Sequence, residues 1–80
     1  MILEFGDFRV SMEAKIHHSP YNENEFFVVI PRIDLPCELK VGRVEYEEYV
    51  YDEVVIKMVN YFDECMEICF GYKTVKLTEA

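Results

Sequence analysis

The residues best suited to chemistry in this sequence are the carboxylates and tyrosines of residues 43–53, RVEYEEYVYDE. This stretch holds five acidic residues and three tyrosines after a single arginine. Carboxylates attract cationic side chains, and tyrosine rings supply rigid contact area. On an extended chain, alternate side chains such as Glu45 and Glu47 lie about 6.6 Å apart on one face. That spacing is comparable to the phosphate spacing of a nucleic-acid strand, so the stretch predicts a surface that offers a basic protein a mimic of a nucleic-acid backbone.

The negative charge of the chain is concentrated around this stretch. The formal net charge is −8, and residues 45–67 alone contain eight acids against one base, Lys57, for a net charge of −7. Such a field steers basic partners and repels nucleic acids and anionic membranes. We therefore expect a basic protein partner, with no direct nucleic-acid or membrane binding. The candidate partner-binding residues are Glu45, Tyr46, Glu47, Glu48, Tyr49, Asp52, Glu53, Asp63, Glu64 and Glu67.

A plainer interpretation of the same residues stays open. The acidic run is then a solvated helix start that keeps the protein soluble. The segment after Tyr49 is predicted below to be a helix, and Ile56 falls on its polar side. On this interpretation, Ile56 is an ordinary scattered surface hydrophobe.

Cysteine and histidine residues are the other groups with possible chemistry. Cys65 and Cys69 are four residues apart, and with His17, His18 and Cys37 they include side chains that bind zinc. Both cysteines fall on an apolar stripe, where cysteine acts as a small core residue, and no short-spaced cysteine pair accompanies them. The dipeptide His17-His18 has no visible orienting partner or pocket. We expect no metal, no cofactor and no enzymatic activity.

Length and composition predict one folded domain over residues 1–80. Hydrophobic residues make up 51% of the chain and its mean hydropathy is −0.04, which argues against disorder of the whole chain. The odd number of cysteines, three, indicates a reducing compartment. No signal peptide or apolar span is visible. The expected location is the cytoplasm, which is the host cytoplasm if the protein is encoded by a phage.

Alternating hydrophobicity predicts strands. Over residues 8–16 the even positions are apolar and the odd positions polar, as in a strand with one buried face. Residues 19–25 resemble a hairpin loop, and they lead into an apolar strand at residues 26–30. Either that strand is covered on both faces, or Phe27 and Val29 line a surface that another chain covers. Further strands are expected at residues 38–46 and 72–77.

Apolar residues at three- and four-residue steps predict a helix between these last two strands. They are Tyr51, Val54, Val55, Met58, Val59, Phe62, Cys65, Met66 and Cys69. A helix of about five turns, starting between Tyr49 and Asp52 and stopping at Gly71, fits the pattern. The expected fold is α+β: a small antiparallel β-sheet, in the order β-β-β-α-β, packed against one amphipathic helix.

Two resemblances to known groups accompany these patterns. In size and acidity the chain is similar to phage anti-CRISPR proteins and DNA-mimic anti-restriction proteins, which implies inhibition of a nucleic-acid-binding protein. The order of an apolar strand at residues 26–30, the run PRIDLPC at residues 31–37, Gly42 and the acidic run resembles HicB-like antitoxins. That resemblance implies a strand-strand-strand-helix module.

We expect a small acidic protein that binds and inhibits a basic, nucleic-acid-binding protein. It would be an inhibitor of the anti-CRISPR type. Two alternatives are kept: a HicB-like antitoxin that neutralises a basic toxin, and a dimeric structural or assembly module joined through a sheet face.

Overall fold

The computed structural model describes residues 1–35 and 41–78, which form strands without any helix. The eight strands are β1 (Ile2–Phe5), β2 (Phe8–Ser11), β3 (Lys15–His18), β4 (Glu25–Pro31), β5 (Gly42–Tyr46), β6 (Tyr49–Tyr61), β7 (Cys65–Gly71) and β8 (Thr74–Leu77). The predicted α+β fold with an amphipathic helix is therefore wrong, because these described residues are all-β. No helix in the described ranges has the length and apolarity that a membrane crossing requires.

Two β-bulges explain why β6 resembles a helix in sequence. In the ladder with β5, Glu53 has no partner, because Asp52 and Val54 pair with consecutive residues of β5. In the ladder with β7, Lys57 is left out in the same way. Each extra residue lengthens the step between inward side chains from two residues to three. The resulting core-facing series is Tyr51, Val54, Ile56 and Val59, whose three-residue steps imitate a helical period.

The predicted helix also runs across a hairpin turn. The amide nitrogen of Phe62 donates to the carbonyl oxygen of Cys65 at 2.9 Å, closing a turn at Asp63 and Glu64 between β6 and β7. Gly71, predicted as the helix stop, is the last residue of β7. The β-branched residues of this segment favour strands over helices. In agreement with that preference, the residues on either side of the turn form the paired strands β6 and β7.

One antiparallel sheet contains all eight strands. Its order is β2-β1-β5-β6-β7-β4-β3, and β8 also pairs with β6. The first part of β6 pairs with β5 and β8, and its second part pairs with β7. A long hairpin, β6 against β7 and then β8, thus forms the spine of the sheet.

The two ends of this sheet lie close together along the chain. Its outermost strands, β2 and β3, are separated by residues 12–14 only. A link of that length reaches roughly 14 Å at most, so the sheet must curl until its ends approach each other. The main chains of Met1 and Met12 exchange hydrogen bonds of 2.7 and 2.9 Å, which extend the β1–β2 ladder by one pair into this link. The curled sheet encloses one core, to which both of its halves contribute.

The interior brings both halves of the curled sheet into one hydrophobic core. Its members are Leu3, Phe5, Phe26, Val28, Ile30, Val44, Tyr51, Val54, Met66, Ile68 and Phe70. Phe26 joins the halves, since its ring centroid lies 4.8 Å from that of Tyr51, 5.3 Å from that of Phe70 and 5.6 Å from that of Tyr72. The even positions of residues 8–16 pack against this core, as their alternation predicted. The single strand predicted there is wrong, because the segment forms β2 and β3, which lie at opposite edges of the sheet.

The remaining strand and loop predictions correspond to observed elements. Residues 26–30 lie in β4, and residues 72–77 contain β8. The predicted strand at residues 38–46 contains β5, while residues 38–40 lie outside the described ranges. Residues 19–24 connect β3 to β4 as a loop, in which the hydroxyl of Ser19 accepts hydrogen bonds from the amides of Tyr21 and Asn22.

Candidate partner-binding surfaces

Glu47 and Glu48 form the turn of the β5–β6 hairpin. Tyr46 pairs with Tyr49 directly across the hairpin, so the two acids are flanked by two tyrosines. Both glutamates are exposed. The carbonyl oxygen of Glu48 accepts hydrogen bonds from the amide (2.6 Å) and the hydroxyl (3.1 Å) of Thr78, which anchors the turn. Among the described residues, the ion pairs do not include either carboxylate.

Two of the acidic residues adopt an unusual backbone conformation. Glu47 and Glu53 both have φ at 54°, in the left-handed region that glycine enters at much lower cost. Glu47 starts the hairpin turn and Glu53 is a bulge residue. Both positions thus keep a carboxylate where the backbone favours glycine.

Basic side chains of the same molecule balance two other acids of the segment. Arg43 lies 3.1 Å from Glu45 and 3.9 Å from Asp52. Lys76 lies 3.5 Å from the second oxygen of Asp52. All four side chains point out of the same half of the sheet, on neighbouring strands β5, β6 and β8. Glu45 and Asp52 therefore add little net charge to the surface around the hairpin.

Glu53 lies beside basic residues as well. It lines a shallow depression together with Glu25, Lys57 and Lys73. The two acids and two bases give this depression a formal net charge near zero. Its attraction for a cationic partner is accordingly weaker than that of the hairpin turn.

Asp63 and Glu64 occupy the turn at the other end of β6. The intervening strand is 13 residues long, which corresponds to roughly 40 Å along the chain at about 3.3 Å per residue. Nearby, the guanidinium of Arg32 lies over the ring of Tyr61, 5.2 Å from its centroid. The two acidic turns are thus separate surfaces at opposite ends of strand β6.

Glu67 belongs to a fourth location, the outward side of β7. The side-chain amide of Asn60 donates to its carboxylate at 3.3 Å. Glu67 pairs across the strands with Val29, and Val29 pairs with Lys15. The ten candidate residues are therefore divided among the β5–β6 hairpin, the β6 bulge, the β6–β7 turn and this outward row.

The tyrosines of the acidic segment converge toward the interior. Tyr51 is buried, and its pKa is raised by that burial and then by the neighbouring Tyr72, Tyr49 and Tyr46. Tyr49 remains 41% exposed, whereas Tyr46 is half-buried. Of the two tyrosines predicted as partner contacts, Tyr49 offers the larger accessible surface.

The cysteines of β7 are on a strand and not on a helix. Residues four apart on a strand share a face but are separated by about 13 Å, so Cys65 and Cys69 are not adjacent. The thiol of Cys69 donates to Glu25 at 3.5 Å. Burial, followed by this hydrogen bond and the charge of Glu25, raises the pKa of Cys69 to about 11. Cys37 lies outside the described residues. Within the described ranges, no group of three or more His, Cys, Asp or Glu residues is arranged to hold a metal ion.

Several exposed apolar side chains complete the surface. Val75 and Leu77 project from β8, and Met58, Tyr61 and Phe62 from the end of β6. Val29 on β4 is 47% exposed, so β4 is not covered on both faces by the described residues; that another chain covers Phe27 and Val29 stays a prediction. The exposed apolar side of β8 was not predicted, although the alternation of residues 72–77 carries that signal.

The chain matches no protein-family model, and neither a curated protein nor a solved structure is significantly similar to it.

Proposed function

We propose that this protein is a small acidic inhibitor that binds a basic surface of a nucleic-acid-binding protein, without enzymatic activity of its own. The β5–β6 hairpin is the contact element. Glu47 and Glu48 meet the cationic side chains, and Tyr49 supplies apolar contact area beside them. A nucleic-acid-binding partner and the free thiols of Cys65 and Cys69 fit a cytoplasmic setting, as in an anti-CRISPR type of inhibitor.

The observation that carries this proposal is the exposed pair of carboxylates at the hairpin turn. Most of the other acids nearby are balanced by basic side chains, but Glu47 and Glu48 have no ion-pair partner among the described residues. A hairpin turn presents side chains with little obstruction. Exposed like charges at such a site repel each other in the free protein, and a cationic partner relieves that repulsion.

The left-handed backbone of Glu47 supports the same proposal. Glycine would adopt φ near 54° with less strain. Strained backbone positions are found preferentially where a side chain has a functional task. A carboxylate that contacts a partner is such a task.

The test uses a fluorescent oligoarginine peptide as the cationic probe. Substitution of Glu47→Gln with Glu48→Gln should weaken binding at low salt about tenfold, and raising the ionic strength from about 0.05 to 0.5 M should abolish most of the remaining affinity, because screening shortens to a few ångströms. The matched control is Glu45→Gln with Asp52→Asn, which removes two charges that Arg43 already balances. Fluorescence anisotropy measures each affinity.

A competition experiment tests inhibition itself. Wild-type protein should displace duplex DNA from a basic DNA-binding domain, and the Glu47→Gln, Glu48→Gln variant should displace it poorly. Equal effects of the hairpin variant and the control variant would show that total charge alone governs binding and would refute the assignment to the hairpin.

The antitoxin alternative has no comparable support. The HicB-like resemblance implies a strand-strand-strand-helix module, and the described residues form eight strands instead. No observed feature favours that function over inhibition by the acidic hairpin.

A further inference from the structure

The outward side of strands β3, β4 and β7 carries a patch that the proposed function does not use. We call it the Phe27 face and define it by Lys15, His17, Phe27, Val29, Glu67 and Cys69. At its centre Phe27 is half-buried and Cys69 is buried, while Val29 is 47% exposed. Met58, also well exposed, extends the apolar centre onto β6.

The charges of the Phe27 face are arranged in one row. Across neighbouring strands, Lys15 pairs with Val29, and Val29 pairs with Glu67. Because adjacent strands are about 4.8 Å apart, the cation and the anion lie at about equal distances on either side of the valine. Within the described residues, neither Lys15 nor Glu67 takes part in an ion pair.

This arrangement is complementary to itself, and we propose that the Phe27 face binds a second copy of the chain. A twofold axis parallel to β4 at Val29 exchanges the two sides of the row. It stacks Val29 on the partner's Val29, and it sets Lys15 opposite the partner's Glu67 on both sides. Packed sheets lie about 10 Å apart, a gap that a lysine and a glutamate span together.

Other twofold arrangements of the same face are electrostatically poorer. An axis through Val29 and perpendicular to the strands would set Lys15 over the partner's Lys15 and Glu67 over the partner's Glu67, bringing like charges together. An axis shifted between β4 and β7 would set Val29 over the partner's Glu67 and bury a carboxylate against a valine. The axis along β4 alone matches apolar with apolar and cation with anion.

Glu25 also lies on β4, so the twofold axis along this strand places it opposite the partner's Glu25. It is four residues from Val29, and its carboxylate turns toward the thiol of Cys69 at 3.5 Å. Packed sheets cross at about 30° and diverge away from the crossing point, so the two Glu25 side chains separate. Their repulsion limits the affinity without opposing the central contacts.

The first test is the mass of the whole chain in solution as a function of concentration. Light scattering from about 1 μM to 1 mM should show a rise from 9.6 kDa toward twice that mass. Val29→Lys places two like charges on the axis and should weaken association at least about 100-fold. Val75→Lys on β8 is the matched control, because Val75 is 45% exposed, and it should leave association unchanged.

The second test identifies the arrangement by charge exchange. Lys15→Glu and Glu67→Lys should each weaken association, because each places like charges opposite one another. The double variant restores opposite charges and should dimerise nearly as well as the wild type, which also shows that the single variants did not simply unfold. A monomer at every concentration, dissociation by Val75→Lys in place of Val29→Lys, or a double variant without rescue would overturn the proposal. Lys15 and Val29 line one cavity with Glu47, so the oligoarginine affinity of each variant is measured beside its mass. A changed mass with an unchanged oligoarginine affinity, or the reverse, shows which of the dimer and the inhibitor function has failed.

Discussion

At the scale of single residues, the acids of this chain differ in what surrounds them. Glu45 and Asp52 have cationic neighbours at 3.1 to 3.9 Å, whereas Glu47 and Glu48 project from a turn. A carboxylate that is already paired gains little from a second cation, since exposed ion pairs contribute about 1 kcal/mol or less. The functional value of an acidic residue here depends on its neighbours and not on its place in an acidic run.

Glu47 provides a prediction at this scale. Glu47→Gly should stabilise the protein by about 1 kcal/mol, because glycine adopts the left-handed backbone without the clash of a side chain. Urea denaturation followed by circular dichroism measures the change.

Glu48→Gly is the control for that prediction. Glu48 is in the same turn and is not among the residues with positive φ, so glycine there should lower the stability by about 0.5 to 1 kcal/mol. If both glycine variants shift the stability in the same direction, backbone strain at Glu47 is not the reason.

At the scale of elements, irregularities in β6 determine the shape of the sheet. The bulges at Glu53 and Lys57 increase the local twist and let one strand serve both halves of the sheet. Opposite the first bulge, Gly42 pairs with Val54 at the start of β5. A Cβ atom at Gly42 would overlap the ring of Phe5 and the main-chain oxygen of Glu4, so this glycine allows β1 and β5 to approach closely.

Gly42→Ala therefore gives a prediction at the element scale. The added methyl group cannot be accommodated without shifting the backbone of β1, and it should destabilise the fold by about 1 to 3 kcal/mol. Thermal unfolding measures the loss.

Gly71→Ala is the comparison for that substitution. A Cβ atom there meets the flexible end of the Lys57 side chain, which can move aside. Gly71→Ala should therefore cost much less stability than Gly42→Ala, and equal losses would contradict the close approach of β1 and β5.

At the scale of the whole molecule, an aromatic cluster joins the two halves of the curled sheet. Phe26 contacts Tyr51 on the opposite half and Phe70 and Tyr72 on its own side of the spine. A domain of this size has a small margin of stability. Loss of this contact should therefore affect both halves together.

Phe26→Ala tests that expectation. Truncation of a buried phenylalanine costs about 3 to 5 kcal/mol, enough to unfold much of the population at moderate temperature. Amide hydrogen exchange should show protection lost equally in β1 and in β4. Loss confined to β4 would mean that the two halves fold as independent units.

The inward-facing residues of the amino-terminal half were predictable because their pattern is local. The alternation in residues 8–16 places every second side chain against the core, and the loop at residues 19–24 is rich in turn-forming residues. The break between β2 and β3 was not predictable, because the alternation continues through residues 12–14 while the chain crosses from one sheet edge to the other. The segment from Tyr49 to Gly71 was mispredicted as a helix for a physical reason. Two bulge residues and a hairpin turn replaced the two-residue period with mixed steps of two and three, and a sequence pattern does not distinguish those steps from a helical period.

The sequence by itself determined the acidity of the protein, the concentration of that charge after Arg43 and the identity of several strands. Only the tertiary structure decided which acids remain available, because Arg43 and Lys76 come from strands that flank β6 in the folded sheet and neutralise two of them. It also separated Glu47 and Glu48 from Asp63 and Glu64 by the length of a strand. Pairing between distant segments sets these distances, and long-range pairing depends on contacts that no local pattern encodes.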